Sequence, residues 1–321
     1  MFASAKEIID SSEIENSLLV DTPTSTLVEP VKLRDFMQRE FPPREMLLAP
    51  WLPTQGLAMV YAPRGVGKTY LTLSIAMTVA TGGELLGWKA DTPRSVLYID
   101  GEMPACVMQE RLNKFGAKSV GEMSFSILNP DLCNGDMPDL ADINCQKMLE
   151  PYIRDIDLII VDNISCLCRS GVENKSEDWQ TMQAWALKMR STGHSVLFVH
   201  HANKNGGQRG TSKREDILDT VMKLERPPDY EAEQGARFQI TFDKSRGFHG
   251  EEAGGIEASL CEGDDGNFIW ESQELKLATF DRVVSLIQEG LTQTEVSNEM
   301  GVNKSTVSRH VRKAKAAGLL K

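Results

Sequence analysis

The sequence predicts an α/β fold with a central, mostly parallel sheet, antiparallel edge strands and a small C-terminal helical unit. Three observations predict it. Short apolar runs at residues 56–62, 95–99, 158–161 and 195–199 alternate with helical stretches near 104–116 and 177–191. Continuous β-branched runs separated by helices belong to strands buried on both faces of a parallel sheet. After residue 219 the runs at 221–224, 238–242 and 268–270 lack helices between them and read as antiparallel additions at the sheet edge. From about residue 275 the chain turns helical and basic.

Taken in order, residues 1–44 form an N-terminal arm. Its first part is polar and without periodicity, and a short helix is expected within 33–47, stopped by Pro42 and Pro43. Residues 45–272 form the core, and 273–321 the C-terminal unit. In the core, Leu71, Ile75 and Val79 share one helical face directly after the first strand.

The bulk composition excludes several classes. With 321 residues and a net charge of −11, this is not a basic protein that coats a duplex, so any DNA contact must be local. No apolar run approaches the roughly 18 residues of a membrane helix, and Met1–Glu7 has no signal-peptide pattern. The six cysteines include no CxxC pair, so zinc is not expected, and free thiols fit a reducing cytoplasm.

The most specific motif is Ala62-Pro63-Arg64-Gly65-Val66-Gly67-Lys68-Thr69, followed by Tyr70. Gly65 and Gly67 let the backbone curl so that consecutive N–H groups face inward at a helix N-terminus, where they cradle phosphates. Lys68 neutralises β- and γ-phosphates and Thr69 ligates magnesium. A strand precedes the loop and a helix follows, as the motif requires. Residues 62–70 are therefore candidate ATP-binding positions, with Mg2+ as the expected companion ion.

Other strand ends carry candidate partners. Asp162 closes the run at 158–161 and is read as a magnesium-shell acid, the alternative being a helix cap. Asp100 and Glu102 follow the second strand, where a carboxylate can polarise water. His200 and His201 follow the fourth strand and can sense a γ-phosphate; the bland reading is structural. Lys204, Arg209, Lys213 and Arg214 lie in a Gly-rich stretch without acids, either a loop contacting a single DNA strand or an ordinary surface loop. Lys244 and Arg246 share a face of an extended segment, either reaching a phosphate, including a neighbouring subunit's, or forming a solvated edge.

The C-terminal unit reads as helix-turn-helix. Thr292 caps the first helix with Glu295 at the capping-box position. Gly301 permits the turn, and Asn303 caps the second helix. Val296, Met300, Val307 and Val311 face inward, leaving Lys304, Ser305, Thr306, Ser308 and Arg309 outward where a major groove would lie, with Arg312 beyond. Residues 301–321 contain no Asp or Glu. A complete β-wing is not expected within this length; the alternative is a helical protein-interaction tail.

These pieces, in this order, resemble the RecA-like P-loop NTPases, in particular the RepA-type plasmid replicative helicases of the hexameric branch, with DnaB more distant. The resemblance covers residues 45–260. It implies that Glu102 activates water, that Asp162 is the Walker B acid and that His201 senses the γ-phosphate. It also implies that Lys244 and Arg246 act as fingers across a subunit boundary in a homo-oligomer, a hexameric ring, and that the loop at 202–213 contacts DNA in the channel. The expected protein is an ATPase and DNA helicase or loader. Two departures stand: Ala62 replaces the usual first glycine, and the arm is too short for the additional domain of DnaB-type helicases. The competing expectations are an ATP-switched DNA-binding regulator and a recombination mediator.

Overall fold

The computed structural model describes residues 30–119, 121, 123–169, 176–202 and 215–320. The chain separates into two compact units, Met1–Pro43 and Arg44–Lys321. In the first, α1 (Leu33–Met37) buries none of its residues, and the rings of Phe36 and Phe41 lie 5.2 Å apart. The helix expected within 33–47 is thus shorter, and residues 46–48 are strand: burial of Leu47 and Leu48 overrides local preference there.

The second unit begins with β1 (Met46–Leu48) and β2 (Leu52–Pro53), then β3 (Leu57–Ala62), α2 (Lys68–Thr81), the hairpin β4 (Gly83–Leu85) and β5 (Trp88–Ala90), and β6 (Val96–Asp100). It continues through α3 (Ala105–Lys114), β7 (Phe125–Leu128), α4 (Ile143–Ile153), β8 (Leu158–Asp162), α5 (Ile164–Leu167), α6 (Ser176–Ser191) and β9 (Ser195–His201). After these come β10 (Thr220–Glu225), β11 (Arg237–Ser245), β12 (Ile256–Glu262), β13 (Phe268–Glu274), α7 (Leu275–Gln288), α8 (Gln293–Glu299) and α9 (Lys304–Ala316).

One nine-stranded sheet organises the core in the order β13-β12-β11-β10-β3-β9-β8-β6-β7. The six strands from β10 to β7 are parallel, and β11, β12 and β13 add antiparallel. The run at 221–224 was expected among the antiparallel additions; instead β10 pairs parallel with β3, Thr220 opposite Ala58. Residues 202–219 supply the length that a parallel crossover needs, so local pattern alone could not assign it.

Strand alternation sorts the core into two layers. Ala58, Val60 and Ala62 of β3 face the side covered by α2, whereas Leu57, Met59 and Tyr61 face the side covered by α6, with Trp179, Met182, Trp185 and Met189. α2 is buried almost all round, which a helix without a polar face requires. Trp270 of β13 donates from Nε1 to Ser74 Oγ (2.8 Å), tying the antiparallel extension to α2.

Register then positions the site. Ala62 lies opposite His201, Asp162 opposite Val199, and Asp100 opposite Asp162. The carboxyl ends of β3, β9, β8 and β6 therefore form one rim, where parallel α/β sheets bind ligands.

Candidate functional site

The phosphate loop joins β3 to α2. Gly65 has φ +75° and Gly67 φ +122°. A Cβ on Gly67 would also meet Phe238 Cε1 at 3.0 Å and the Ala236 methyl at 3.1 Å, so both conformation and space demand glycine there. Ala62 is buried at the end of β3, Val66 is buried, and Pro63, Arg64 and Gly65 are exposed. Lys68 is buried at the start of α2 and donates from Nζ to the Ala62 and Pro63 carbonyls, both at 3.0 Å. Burial lowers its pKa to about 8, opposed by the nearby Asp162 and Glu102 carboxylates.

Three acids stand against this loop. Asp162 is buried; it accepts hydrogen bonds from the Tyr98 phenol (2.7 Å) and the Thr69 hydroxyl, while burial pushes its carboxyl above the ordinary range. Asp100 accepts from the backbone N–H groups of Glu102 (2.7 Å) and Met103 (2.8 Å) through Oδ1. Its Oδ2 is buried without a partner, and burial raises the carboxyl to about 6. Glu102 is exposed at the cleft mouth and accepts from Asn163 Nδ2 at 2.7 Å. The peptide between Asp162 and Asn163 is cis. Asn163, not Asp162, caps α5, accepting from the Cys166 N–H.

Lys68, Thr69, Asp100, Glu102, Asp162 and Asn163 line one cleft of about 540 Å3, with Arg64, Tyr70, Arg111 and His201. The donor set fits magnesium. The Thr69 hydroxyl, the Asp162 carboxylate and the unpartnered Asp100 oxygen are hard oxygen donors beside a phosphate cradle.

A second hollow of about 320 Å3 adjoins the loop, lined by Gly65, Gly67, Tyr70, Tyr230 and Phe268 among others. Arg226 donates from Nη2 to the Gly65 carbonyl (3.0 Å) and stacks 4.1 Å over the Tyr230 ring. Arg111 lies 4.4 Å over Tyr70.

An AAA domain family matches residues 22–207, more than half of the chain. The chain belongs to that family. Its fold is also similar to a solved KaiC-like protein from the hyperthermophilic archaeon Pyrococcus horikoshii OT3. That superposition has a TM-score of 0.47 at 13% identity and covers 70% of this chain and 93% of the other. A winged helix-turn-helix DNA-binding family matches residues 282–321.

In this AAA domain protein Lys244 and Arg246 fall outside the cleft. β11 runs antiparallel, so Lys244 and Arg246 lie at the end of the sheet opposite the phosphate loop. There Lys244 donates to the carbonyls of Glu215 and Asp216, and Arg246 pairs with Asp219 (3.7 Å). Asp219 is buried and also pairs with Arg44 and Arg190. Lys204, Arg209, Lys213 and Arg214 lie outside the described residues.

The C-terminal helices α7, α8 and α9 close over a small core of Val283, Val296, Met300, Val307 and Val311. The Thr292 capping box forms: the Thr292 N–H donates to Glu295 Oε2 at 2.7 Å, and the Glu295 N–H donates to Thr292 Oγ1 at 3.3 Å. Gly301 takes φ +62° in the turn. Asn303 occupies the N-cap of α9 but makes no side-chain cap bond, a correction to the expected cap; its extended backbone alone turns the chain into α9. Lys304, Ser305, Arg309 and Arg312 are exposed, Thr306 and Ser308 partly so. No strand follows α9 among the described residues. α7 begins where β13 ends, and Arg282 of α7 grips buried Glu257 of β12 with two bonds (2.7 and 2.8 Å). Arg237 shares Glu257 (2.7 Å), and Asp229 bridges Arg237 and Arg282.

Sequence reasoning missed Tyr98, Arg111, Asn163, Arg226 and Tyr230. Two of these left a signal. Pro104, Val107 and Arg111 line the cleft at the i, i+3, i+7 spacing of one helix face. Tyr98 is a polar-tipped residue on a fully buried strand, so its hydroxyl needed a partner.

Proposed function

We propose that the chain is an oligomeric, Mg2+-dependent ATPase acting on DNA, a replicative helicase or loader of a plasmid, phage or mobile element. The observation that carries this reading is the single cleft uniting Lys68, Thr69 and Asp162 with Glu102 at its mouth. Lys68 and the loop N–H groups bind the triphosphate, and ATP takes its base into the hollow beside Tyr230 and Phe268. Magnesium would be held by the Thr69 hydroxyl and, through water, by Asp162, supplying charge neutralisation at the β- and γ-phosphate oxygens. Glu102, oriented by Asn163, polarises the attacking water, and His201 reports the γ-phosphate.

Lys244 and Arg246 face away from their own loop, so they serve a neighbouring subunit's site, where they stabilise the charge of the transferring phosphoryl group. DNA contact is assigned to Lys204, Arg209, Lys213 and Arg214 for a single strand and to Lys304, Ser305, Thr306, Ser308, Arg309 and Arg312 for a duplex. The corresponding division is arm 1–44, ATPase core 45–272 and helix-turn-helix 273–321. Mixing Arg246→Ala with Lys68→Ala protein tests the shared site: each alone hydrolyses no ATP, and the mixture regains activity. A mixture that stays inactive while forming oligomers overturns the trans assignment. Strand displacement on a forked DNA tests the helicase step.

A second reading, an ATP-switched DNA-binding regulator, is favoured by the Glu257 grip that docks α7 onto the core. DNA-stimulated hydrolysis without strand displacement decides for it.

A further inference from the structure

We propose that Tyr98 is a positioning residue for the metal side of the cleft, its phenol holding one oxygen of Asp162 and so fixing the orientation in which the carboxylate meets Thr69 and a bound ion. The inference rests on the reading of the cleft as a magnesium-nucleotide site.

Tyr98 sits in the middle of β6, with Val96 and Asp100 on the same side of the strand. It is fully buried between α2 and β8. A phenylalanine would fill the same space, so packing does not explain the hydroxyl. Burying a hydroxyl is costly unless it is bonded, and this one is bonded on both sides. It donates to Asp162 Oδ2 at 2.7 Å and meets Thr72 Oγ1 at 2.8 Å.

Thr72 is itself placed by the phosphate-loop helix. Its hydroxyl lies 3.2 Å from the Lys68 carbonyl and 3.3 Å from the Thr69 carbonyl. A run of close contacts therefore reaches from the first turn of α2 to the acid at the end of β8, the phenol donating to Asp162 and the single Thr72 proton going either to the phenol oxygen or to a helix carbonyl. It locks Asp162 to the two residues that meet the phosphates and the ion. An Asp side chain has a soft, two-fold terminal torsion, so a donor on one oxygen is what selects the orientation of the other. The Thr69 hydroxyl is also bonded to Asp162, so the phenol and the proposed magnesium ligand share one carboxylate.

Tyr98→Phe isolates the effect. Mn2+ binding to the protein–ADP complex, read by electron paramagnetic resonance, and nucleotide binding in EDTA, read with a fluorescent ADP analogue, separate metal from phosphate affinity. The expected result is a rise of about ten- to a hundred-and-fiftyfold in the Mn2+ dissociation constant, the range for losing one hydrogen bond to a charged group. Affinity for the analogue in EDTA stays within twofold. The Mg2+ concentration for half-maximal hydrolysis rises in parallel. Thr72→Val, which strips the phenol of its second partner, raises the same constant by a smaller factor and serves if Tyr98→Phe does not fold.

An unchanged Mn2+ constant in the folded variants overturns the proposal. So does an equal loss of metal and metal-free nucleotide binding, which would mean the phenol merely supports the loop. Wild-type protein that binds nucleotide without any metal dependence would instead overturn the reading of the cleft, and this step with it.

Discussion

The nucleotide cleft draws its residues from four strand ends and two helices spread between Ala62 and His201, whereas the helix-turn-helix is three consecutive helices around five buried side chains. In the first region, pairing between distant strands creates the site. In the second, nearly every contact is short in sequence. The cleft also buries charge: Lys68, Asp100 and Asp162 are removed from water and held by specific donors and acceptors. Helices α8 and α9 leave their charges in solvent and bury apolar side chains, with Ser297 the one buried polar residue, bonded to the Val302 carbonyl. A region that buries charge is sensitive to single atoms; one built on local helices is sensitive to caps and to its few core contacts.

The largest test of this contrast is Lys68→Ala. It removes the only buried cation among the described lining residues of the cleft, and ATP hydrolysis should fall by about a hundredfold or more, more than 2.7 kcal/mol of transition-state stabilisation. Duplex binding by the C-terminal unit, measured by fluorescence anisotropy without nucleotide, should not change. A parallel loss there would show that the two regions are not separable.

Next in size is Glu257, where the regions meet. Burial favours its neutral form, but Arg237 and Arg282 outweigh this and hold the carboxyl below its ordinary value of 4.5. A depressed folded value means that the contribution is complete above the ordinary pKa and is lost as pH falls through the lower folded one. Glu257→Ala leaves Arg237 and Arg282 with Asp229 as their remaining acid and should cost about 3 kcal/mol. In denaturant melts the difference between variant and wild type should shrink as pH falls below the ordinary value of 4.5, as protonation removes the same contact. A difference constant with pH would break the assignment.

Arg309→Ala should weaken duplex binding by about tenfold and reduce the slope of log affinity against log salt by about 1, as for a lost phosphate contact. Basal ATP hydrolysis should stay unchanged. The smallest effect belongs to Thr292→Ala, which deletes the capping box of α8 and should destabilise the C-terminal helices by about 1 kcal/mol, read as lost helical signal on heating.

The same contrast explains what was legible beforehand. The loop at 62–69 and the helix-turn-helix are local patterns, and both took the expected strand–loop–helix and helix–turn–helix form, the Thr292–Glu295 box included, though Asn303 makes no side-chain cap. The strands at 56–62, 95–99, 158–161 and 195–199 announced themselves by continuous apolar runs. β7 did not, because it is a half-buried edge strand of four residues, and neither did β12. The parallel seat of β10 depends on pairing with β3, more than 150 residues earlier, which no local window contains. Tyr98, Asn163 and Arg226 gain their roles only from what register and loop geometry bring beside them.

The direct passage from β13 into α7, with Arg282 clasping Glu257, leaves the DNA-binding head without a slack tether. When two copies stand side by side, the distance and angle between their α9 helices are dictated by how the ATPase cores pack. The proposed assembly would then work as a ruler on DNA. Sites separated by a whole number of turns, about 10 base pairs each, are met without strain, and sites out of phase require the duplex to twist or bend.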